Sequence, residues 1–167
     1  HHSKMIDQAL IFSEISNNIF IKVPFYDHKG KELIKIIEYL HSKNIKLNIT
    51  AVFSKRQINK LSLILGGNTE SIVSIFAGRI ADTGIDPQKM ISESLQILKN
   101  KPLSEIIWAS PRELLNIFQA EQIGCHAITV TTGLIEKFKL IGFDLNEYSL
   151  DTVKMFYNDA LNSGYTI

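Results

Sequence analysis

Asn18-Ile-Phe-Ile-Lys-Val-Pro24 decides the fold: it is a short apolar and β-branched run, closed by a proline that cannot continue a central strand. Four similar runs follow, at 45–53, 71–77, 106–110 and 127–130. Helical patterns of apolar residues precede, separate and follow these runs, at 3–15, 29–40, 54–65, 87–98, 111–119 and 148–161. Strands that alternate with helices predict βα units and a parallel sheet.

Capping residues mark the starts of three of these helices. Ser54 directly precedes one helical pattern and can cap it. Asp86-Pro87 and Ser110-Pro111 each place a capping residue before a proline, which is favoured at the first helical position. We therefore expect helices to begin directly after Ser54, Asp86 and Ser110.

The strands distinguish between two parallel architectures, because a strand of an open, doubly wound sheet is usually apolar on both faces. Here one face is apolar and the other carries polar side chains toward the C-terminal ends of the strands. Residues on this second face are Phe20 and Lys22, Asn48 and Thr50, Ser74 and Phe76, Trp108 and Ser110, and Ala127 and Thr129. The pattern predicts an α/β fold, a parallel (β/α)8 barrel of the TIM type with about five of the eight βα units present.

Composition bounds the class of protein. The 167 residues are 45% hydrophobic and 21% charged with a net charge of +1, so we expect a folded domain and neither a nucleic-acid nor a membrane partner. One cysteine and the lack of a long apolar span favour a cytoplasmic protein. We interpret residues 1–167 as one partial barrel domain, of which 148–167 are a C-terminal helix and tail able to pack on the barrel or on a neighbouring subunit.

Lys22 is the residue that most directly indicates chemistry. Burial of its ammonium would be costly, and desolvation lowers a lysine pKa and leaves an amine that can form a Schiff base with a carbonyl substrate. The alternative is an edge-strand lysine that extends to solvent. The amide and hydroxyls on the same face suit a polyhydroxy substrate and a relay water. The histidines lack metal-ligand spacing, so we expect no metal and no cofactor.

Two arginines and a serine suggest a phosphate site. Arg79 and Arg112 follow the ends of the third and fourth strands, and Ser110 adds a hydroxyl beside the latter. Two guanidinium groups at the mouth of a sheet suit a phosphorylated substrate. Asp82 is expected to be a loop partner of Arg79, and Asp86 a helix cap.

Four motifs in order resemble the transaldolase family, in particular its small branch that includes fructose-6-phosphate aldolase. They lie at 18–24, 47–54, 74–82 and 109–112. The resemblance implies that Lys22 is the Schiff-base lysine and that Thr50 helps to hold the catalytic water. It also implies that Asn48 contacts substrate, that Ser74 and Phe76 line the site, and that phosphate is bound by Arg79, Ser110 and Arg112. Phe76 follows the transaldolase pattern, whereas the aldolase branch tends to carry tyrosine.

The chain also departs from the family pattern. Family barrels have eight strands, and this sequence begins in what would be the third helix. It therefore lacks the family's aspartate of the first strand and its acidic or amide residue of the third. Ile75 and Thr131-Thr132 stand where prolines are usual. A barrel has roughly 200–250 residues, so we expect the chain, which starts His1-His2-Ser3, to be an incomplete part of a larger protein.

Three functions remain open on these grounds. The leading hypothesis is a transaldolase that transfers a dihydroxyacetone unit between ketose and aldose phosphates, or an aldolase that releases it. The second is a non-catalytic relative that binds sugar phosphates or serves in an assembly. The third is a Schiff-base aldolase acting on a keto acid, which the two arginines disfavour. The family's small members form rings and a partial sheet exposes its edges, so we expect a homo-oligomer.

Overall fold

The computed structural model describes residues 2–164, in which every strand belongs to one sheet. The strands are β1 (Ile21–Pro24), β2 (Leu47–Val52), β3 (Ser71–Ile75), β4 (Ser104–Trp108) and β5 (Ala127–Ile128). The helices are α1 (His2–Ser13), α2 (Ile34–Ser42), α3 (Lys55–Ile64), α4 (Ala77–Ala81), α5 (Pro87–Leu98), α6 (Leu115–Gln122), α7 (Thr132–Glu136) and α8 (Leu145–Asn162), with a 3₁₀ turn at Lys137–Leu140. The chain divides into two compact units, His1–Val130 and Thr131–Ile167.

All four strand pairings are parallel, and the order in the sheet is β1-β2-β3-β4-β5. Strands that follow chain order without reversal form the wall of a barrel, whereas the order of a doubly wound sheet reverses at a switch point. The predicted α/β fold is confirmed. The sheet is five consecutive strands of a TIM-type barrel.

The core lies on one face of this sheet, between the strands and their helices. Buried strand residues on that face are Ile21, Val23, Leu47, Ile49, Val52, Val73, Ile75, Ile106 and Trp108. Helices α2, α3 and α5 add buried aliphatic side chains, among them Ile37, Leu40, Ile58, Leu61 and Ile91. Each fully buried Leu or Ile contributes about 1.5–3 kcal/mol relative to exposure, so this face holds the sheet together.

The residues that face the core differ from expectation in β2 and β4. Trp108 was expected on the polar face, but it pairs in register with Ile75 and is fully buried in the core. Ile107, paired with Ser74, lies on the opposite face instead. In β2, Ala51 adopts φ 57° and the register shifts between Ile49 and Val52, so the bulge buries Val52 rather than Ala51.

Two helices begin later than predicted, because polar side chains organise the preceding turns. Asp27 Oδ1 accepts hydrogen bonds from the backbone N–H groups of Lys29 and Lys31, so α2 begins at Ile34 rather than at 29. Ser110 does not cap a helix. The Oδ1 atom of Asn116 accepts from the N–H groups of Arg112 and Glu113, and α6 begins at Leu115.

The other two predicted helix starts are confirmed. Ser54 caps α3 in a reciprocal capping box with Gln57. The Asp86 side chain accepts from the Gln88 N–H, with Pro87 as the first residue of α5. Helix α4, directly after β3, was not predicted, since a five-residue helix carries too little periodicity to detect.

The second unit consists of α7, the 3₁₀ turn and α8. Asp144 caps α8 by accepting from the Asn146 and Glu147 N–H groups, and α8 contains the predicted helix at 148–161. Its large apolar side chains are exposed, among them Leu145, Val153 and Phe156. The interpretation of 1–167 as one domain, and of 148–167 as a helix that packs on a barrel or a neighbour, stays a prediction. Residues 165–167 lie outside the described residues.

Candidate active site

Lys22, Asn48 and Ser74 meet on the face of the sheet that the helices leave open. Lys22 is paired in register with Asn48 across β1 and β2. The Ser74 hydroxyl donates to Asn48 Oδ1 over 2.7 Å, and Ser74 is only 3% exposed. The amide oxygen of Asn48 is thereby fixed, which leaves its NH₂ group as a donor beside the lysine. The sequence placed these three residues on one face, and the structure brings them together.

The surroundings of Lys22 differ from those that the sequence suggested. Its strand neighbours Ile21 and Val23 point into the core, whereas Lys22 itself is exposed. Within the part of the chain that the structure describes, the ammonium forms no ion pair. Residues 2–164 therefore hold the lysine on the open face but do not supply the desolvation expected to activate it.

The Thr50 hydroxyl is a polar group in need of a partner. Its Oγ1 atom is buried, yet it has no hydrogen-bond partner among the described residues. Leaving such a group unpaired costs about 1–3 kcal/mol, so structures retain one where a water or ligand satisfies it. Thr50 lies two residues after Asn48 and directly before the Ala51 bulge. Its predicted role in holding a water stays a prediction, and the unpaired oxygen is consistent with that role.

Aromatic rings hold the first arginine at the end of β3. The rings of Phe53 and Phe76 have centroids 5.6 Å apart, and the Arg79 guanidinium carbon lies 5.6 Å from the Phe76 centroid. A cation over an aromatic face gains about 0.5–1 kcal/mol at exposed sites. Phe76, predicted to line the site, thus contacts the predicted phosphate ligand Arg79. Phe53 was missed, and it follows the Thr50–Val52 segment closely enough in sequence to have been suspected.

The second arginine is held by a carboxylate. The Arg112 Nε atom donates to Asp82 Oδ1 over 3.2 Å, and its Nη2 atom donates to Oδ2 over 2.5 Å. The prediction that Asp82 pairs with Arg79 is wrong. Asp82 pairs with Arg112, because the turn after α4 lies beside the segment after β4.

Gly78 allows these two segments to approach. A Cβ atom at position 78 would lie 1.6 Å from the Ser110 carbonyl oxygen, and the Gly78 N–H donates to the Ala109 carbonyl over 3.4 Å. The backbone of Ser110 has φ 60°, a conformation that residues other than glycine rarely adopt. Arg79 in α4, and Ser110 and Arg112 in the segment after β4, are therefore carried by two parts of the chain in direct contact. Sequence reasoning missed Gly78, although a glycine directly before Arg79 was a signal.

A charged network beside the site braces the loop after β1. Arg56 donates to the Tyr26 hydroxyl over 2.7 Å and to Glu32, which also accepts from Lys60. The hydrogen bond from Lys60 lowers the pKa of Glu32, and the hydrogen bond that Arg56 donates to the Tyr26 hydroxyl raises the pKa of Arg56. These bonds fasten residues 26–32 to α3.

A second carboxylate is strongly perturbed in the same loop. The pKa of Asp27 falls from 3.8 to about 2, chiefly because of the hydrogen bond from the Lys31 N–H and then that from His2. The His2 Nε2 atom lies 2.9 Å from Asp27 Oδ2. Asp27 therefore organises the turn that delays α2.

Cys125 and His126 lie outside the candidate site. Burial raises the pKa of Cys125, and the His126 Nδ1 atom accepts from the Ile106 N–H over 3.0 Å. Both contact the backbone near β4, in keeping with structural roles. Residues 2–164 contain no cluster of three or more His, Cys, Asp or Glu side chains able to hold a metal. In the same range, every helix is too short or too polar to cross a membrane.

The fold and this arrangement define a class: a parallel α/β protein of the barrel type with a lysine, amide and hydroxyl site at its strand ends. The model of the Transaldolase/Fructose-6-phosphate aldolase family matches residues 1–164, and the chain belongs to that family. The suspected resemblance is thereby confirmed.

Curated relatives agree with this assignment. The chain is 31% identical over 137 residues to a probable transaldolase of Nitrosopumilus maritimus, covering 81% of this chain and 58% of that protein. It is 32% identical over 152 residues to a probable transaldolase of Clostridioides difficile, covering 90% and 66%. A probable transaldolase of Clostridium kluyveri is 34% identical over 128 residues, with coverages of 76% and 56%. The chain thus spans 56–66% of the length of these relatives.

Proposed function

We propose that this chain carries the lysine and phosphate-binding parts of a transaldolase that transfers a dihydroxyacetone unit between a ketose phosphate and an aldose phosphate. The observation that supports this proposal is the Lys22–Asn48–Ser74 cluster, in which the Ser74 hydroxyl donates to the Asn48 amide oxygen over 2.7 Å. The Thr50 hydroxyl, two residues after Asn48, is buried and has no hydrogen-bond partner within residues 2–164. Acyclic ketoses present a carbonyl flanked by hydroxyls, which suits an amine surrounded by an amide donor and hydroxyls.

In the proposed reaction the Lys22 amine attacks the ketone carbon, and loss of water leaves an iminium group. The bond between the α and β carbons of the iminium then breaks, and its electron pair forms the carbon–carbon double bond of an enamine as the iminium nitrogen becomes neutral. The β-carbon hydroxyl loses its proton to a water held by Thr50 and becomes the aldehyde of the leaving aldose phosphate. The enamine then attacks the aldehyde carbon of a second aldose phosphate, and hydrolysis frees the lysine.

The phosphate of the substrate would bind Arg79, Ser110 and Arg112. Ser110 supports this part of the proposal through its backbone: φ 60° costs a non-glycine residue about 1 kcal/mol or more, which a purely structural position would avoid with glycine. Two arginines on loops in direct contact can neutralise a dianion together. Metal and cofactor are not part of this proposal, because the iminium withdraws the electrons.

Borohydride trapping tests the lysine. Wild-type chain treated with fructose 6-phosphate and borohydride should acquire a reduced adduct on the peptide that contains residue 22, and Lys22→Met should acquire none. Lys43→Met is the matched control, since Lys43 lies at the C-terminal end of α2, over the Tyr39 ring. An adduct that persists in Lys22→Met, or a wild type that forms none, would overturn the assignment.

A second candidate function is non-catalytic binding of sugar phosphates. The exposure of Lys22 favours it, since residues 2–164 do not surround this side chain with the apolar groups that activate a nucleophilic lysine. In that case fructose 6-phosphate should raise the melting temperature without turnover. Measurable cleavage or transfer by the chain would exclude this candidate.

Two further properties belong to the proposal. A homo-oligomer would cover the open edges of the sheet at β1 and β5, since unpaired strand edges favour association. The single cysteine suits a reducing compartment, and we propose the cytoplasm. Sedimentation of the purified chain tests the first property.

A further inference from the structure

Arg112 is held on three sides. Its guanidinium group pairs with Asp82, its backbone N–H donates to Asn116 Oδ1 over 2.8 Å, and its Cγ atom would lie 3.2 Å from a Cβ atom at position 78. Neither Asp82 nor Asn116 was among the residues expected to bind substrate. Asp82 directly follows α4, which carries Arg79, and Asn116 lies in the first turn of α6, close in sequence to Ser110 and Arg112.

The guanidinium group uses one edge for this pair. A guanidinium is planar and offers a side edge, formed by Nε and one Nη, and an end edge formed by the two Nη atoms. Asp82 occupies the side edge through Nε and Nη2. The Nη1 atom and the second Nη2 hydrogen stay available, so a phosphate can bind the end edge while the carboxylate remains in place.

We infer that Asp82 is a positioning residue for the phosphate site: it fixes the Arg112 guanidinium so that its end edge is presented to the substrate phosphate. The inference rests on the proposed function. A long arginine side chain loses rotamer freedom when it binds an anion, and a partner that has already ordered it reduces that loss. The Asp82 and Arg112 side chains are 52% and 47% exposed, so the pair adds little to folding stability.

Titration with inorganic phosphate tests the inference. We expect Asp82→Asn to weaken phosphate binding by about tenfold, within the range found for coupled neighbours, while the melting temperature stays unchanged. Glu113→Gln is the matched control, because it removes one exposed carboxylate directly after Arg112 in sequence and should not weaken binding. Asp82→Glu should restore part of the affinity.

A double-mutant cycle separates positioning from general electrostatics. The ammonium group of lysine is not planar and has no edge to orient. In an Arg112→Lys background, the Asp82→Asn change should therefore produce no further loss of phosphate affinity. Losses that add in the double variant, or tighter phosphate binding by Asp82→Asn alone, would overturn the inference.

The same experiments distinguish the inference from the function on which it rests. If wild type binds phosphate and Asp82→Asn binds equally well, the positioning role fails and the proposed function stands. If wild type binds no phosphate, both the phosphate site and the role of Asp82 are overturned, whereas borohydride trapping with dihydroxyacetone reports on Lys22 independently.

Discussion

The lysine region and the phosphate region of the candidate site are built differently. In the phosphate region, Gly78 packs against Ser110 and Asp82 holds Arg112, so consecutive strand ends are locked together. In the lysine region, Asn48 and Ser74 are bonded to each other, but Lys22 faces the open side of the sheet. In the phosphate region, the described residues hold each other in place. In the lysine region, the amine of Lys22 is exposed, so a substrate or another protein surface has to exclude water from it.

The largest effect on stability is expected from Gly78→Ala, which disrupts the contact between Gly78 and Ser110 in the phosphate region. The added Cβ would lie 1.6 Å from a backbone oxygen, so the two loops must separate. We expect a loss of about 3 kcal/mol or more in the free energy of unfolding, measured by denaturant titration. Gly133→Ala is the control, because nothing lies within 4 Å of its Cβ. A tolerated Gly78→Ala would show that the loops are not tightly packed.

Ser110 variants separate strain from binding in the same region. Ser110→Gly relieves the positive φ and should leave stability within about 1 kcal/mol of wild type or above it, whereas Ser110→Ala keeps the strain. Both remove the hydroxyl, so both should weaken inorganic phosphate binding about five- to tenfold if it donates a hydrogen bond. Equal phosphate affinity in wild type and both variants would remove Ser110 from the proposed site.

Acid should loosen the loop after β1, which Asp27 organises. The pKa of Asp27 is lowered from 3.8 to about 2, so its stabilising contribution is present above the unfolded value of 3.8 and is lost as the pH falls toward about 2. Asp27→Asn should flatten the pH dependence of stability in that window. Asp7→Asn, an exposed change on α1, should leave the dependence as in wild type. Identical profiles for both variants would contradict the role given to Asp27.

The smallest effect on stability is expected at the lysine itself. Lys22 is exposed and unpaired within residues 2–164, so Lys22→Met should change the free energy of unfolding by no more than about 0.5 kcal/mol. Thermal unfolding measures this change. A loss above about 2 kcal/mol would mean that the lysine contributes to the fold, and the contrast between the two regions would disappear.

Much of the site was predictable because strand-end motifs are local. The pairing of Lys22 with Asn48, and of Asn48 with Ser74, follows from alternation along parallel strands. The face assignment failed at two strands, and in each a shift of one residue exchanges the faces, since the side-chain period of a strand is two. In β2 the bulge at Ala51 causes the exchange. In β4 the register is regular, and the alternation was assigned to the wrong face at Trp108.

The sequence by itself determined the alternation of strands and helices, the parallel sheet and the family, because hydrophobic period and strand-end motifs are properties of neighbouring residues. Only the tertiary structure decided the partner of Asp82, the contact at Gly78 and the exposure of Lys22. Asp82 and Arg112 are thirty positions apart, and the hydrogen bonds between them form only because the turn after α4 and the segment after β4 lie side by side. Exposure likewise depends on which surfaces cover a strand, and no local pattern specifies that.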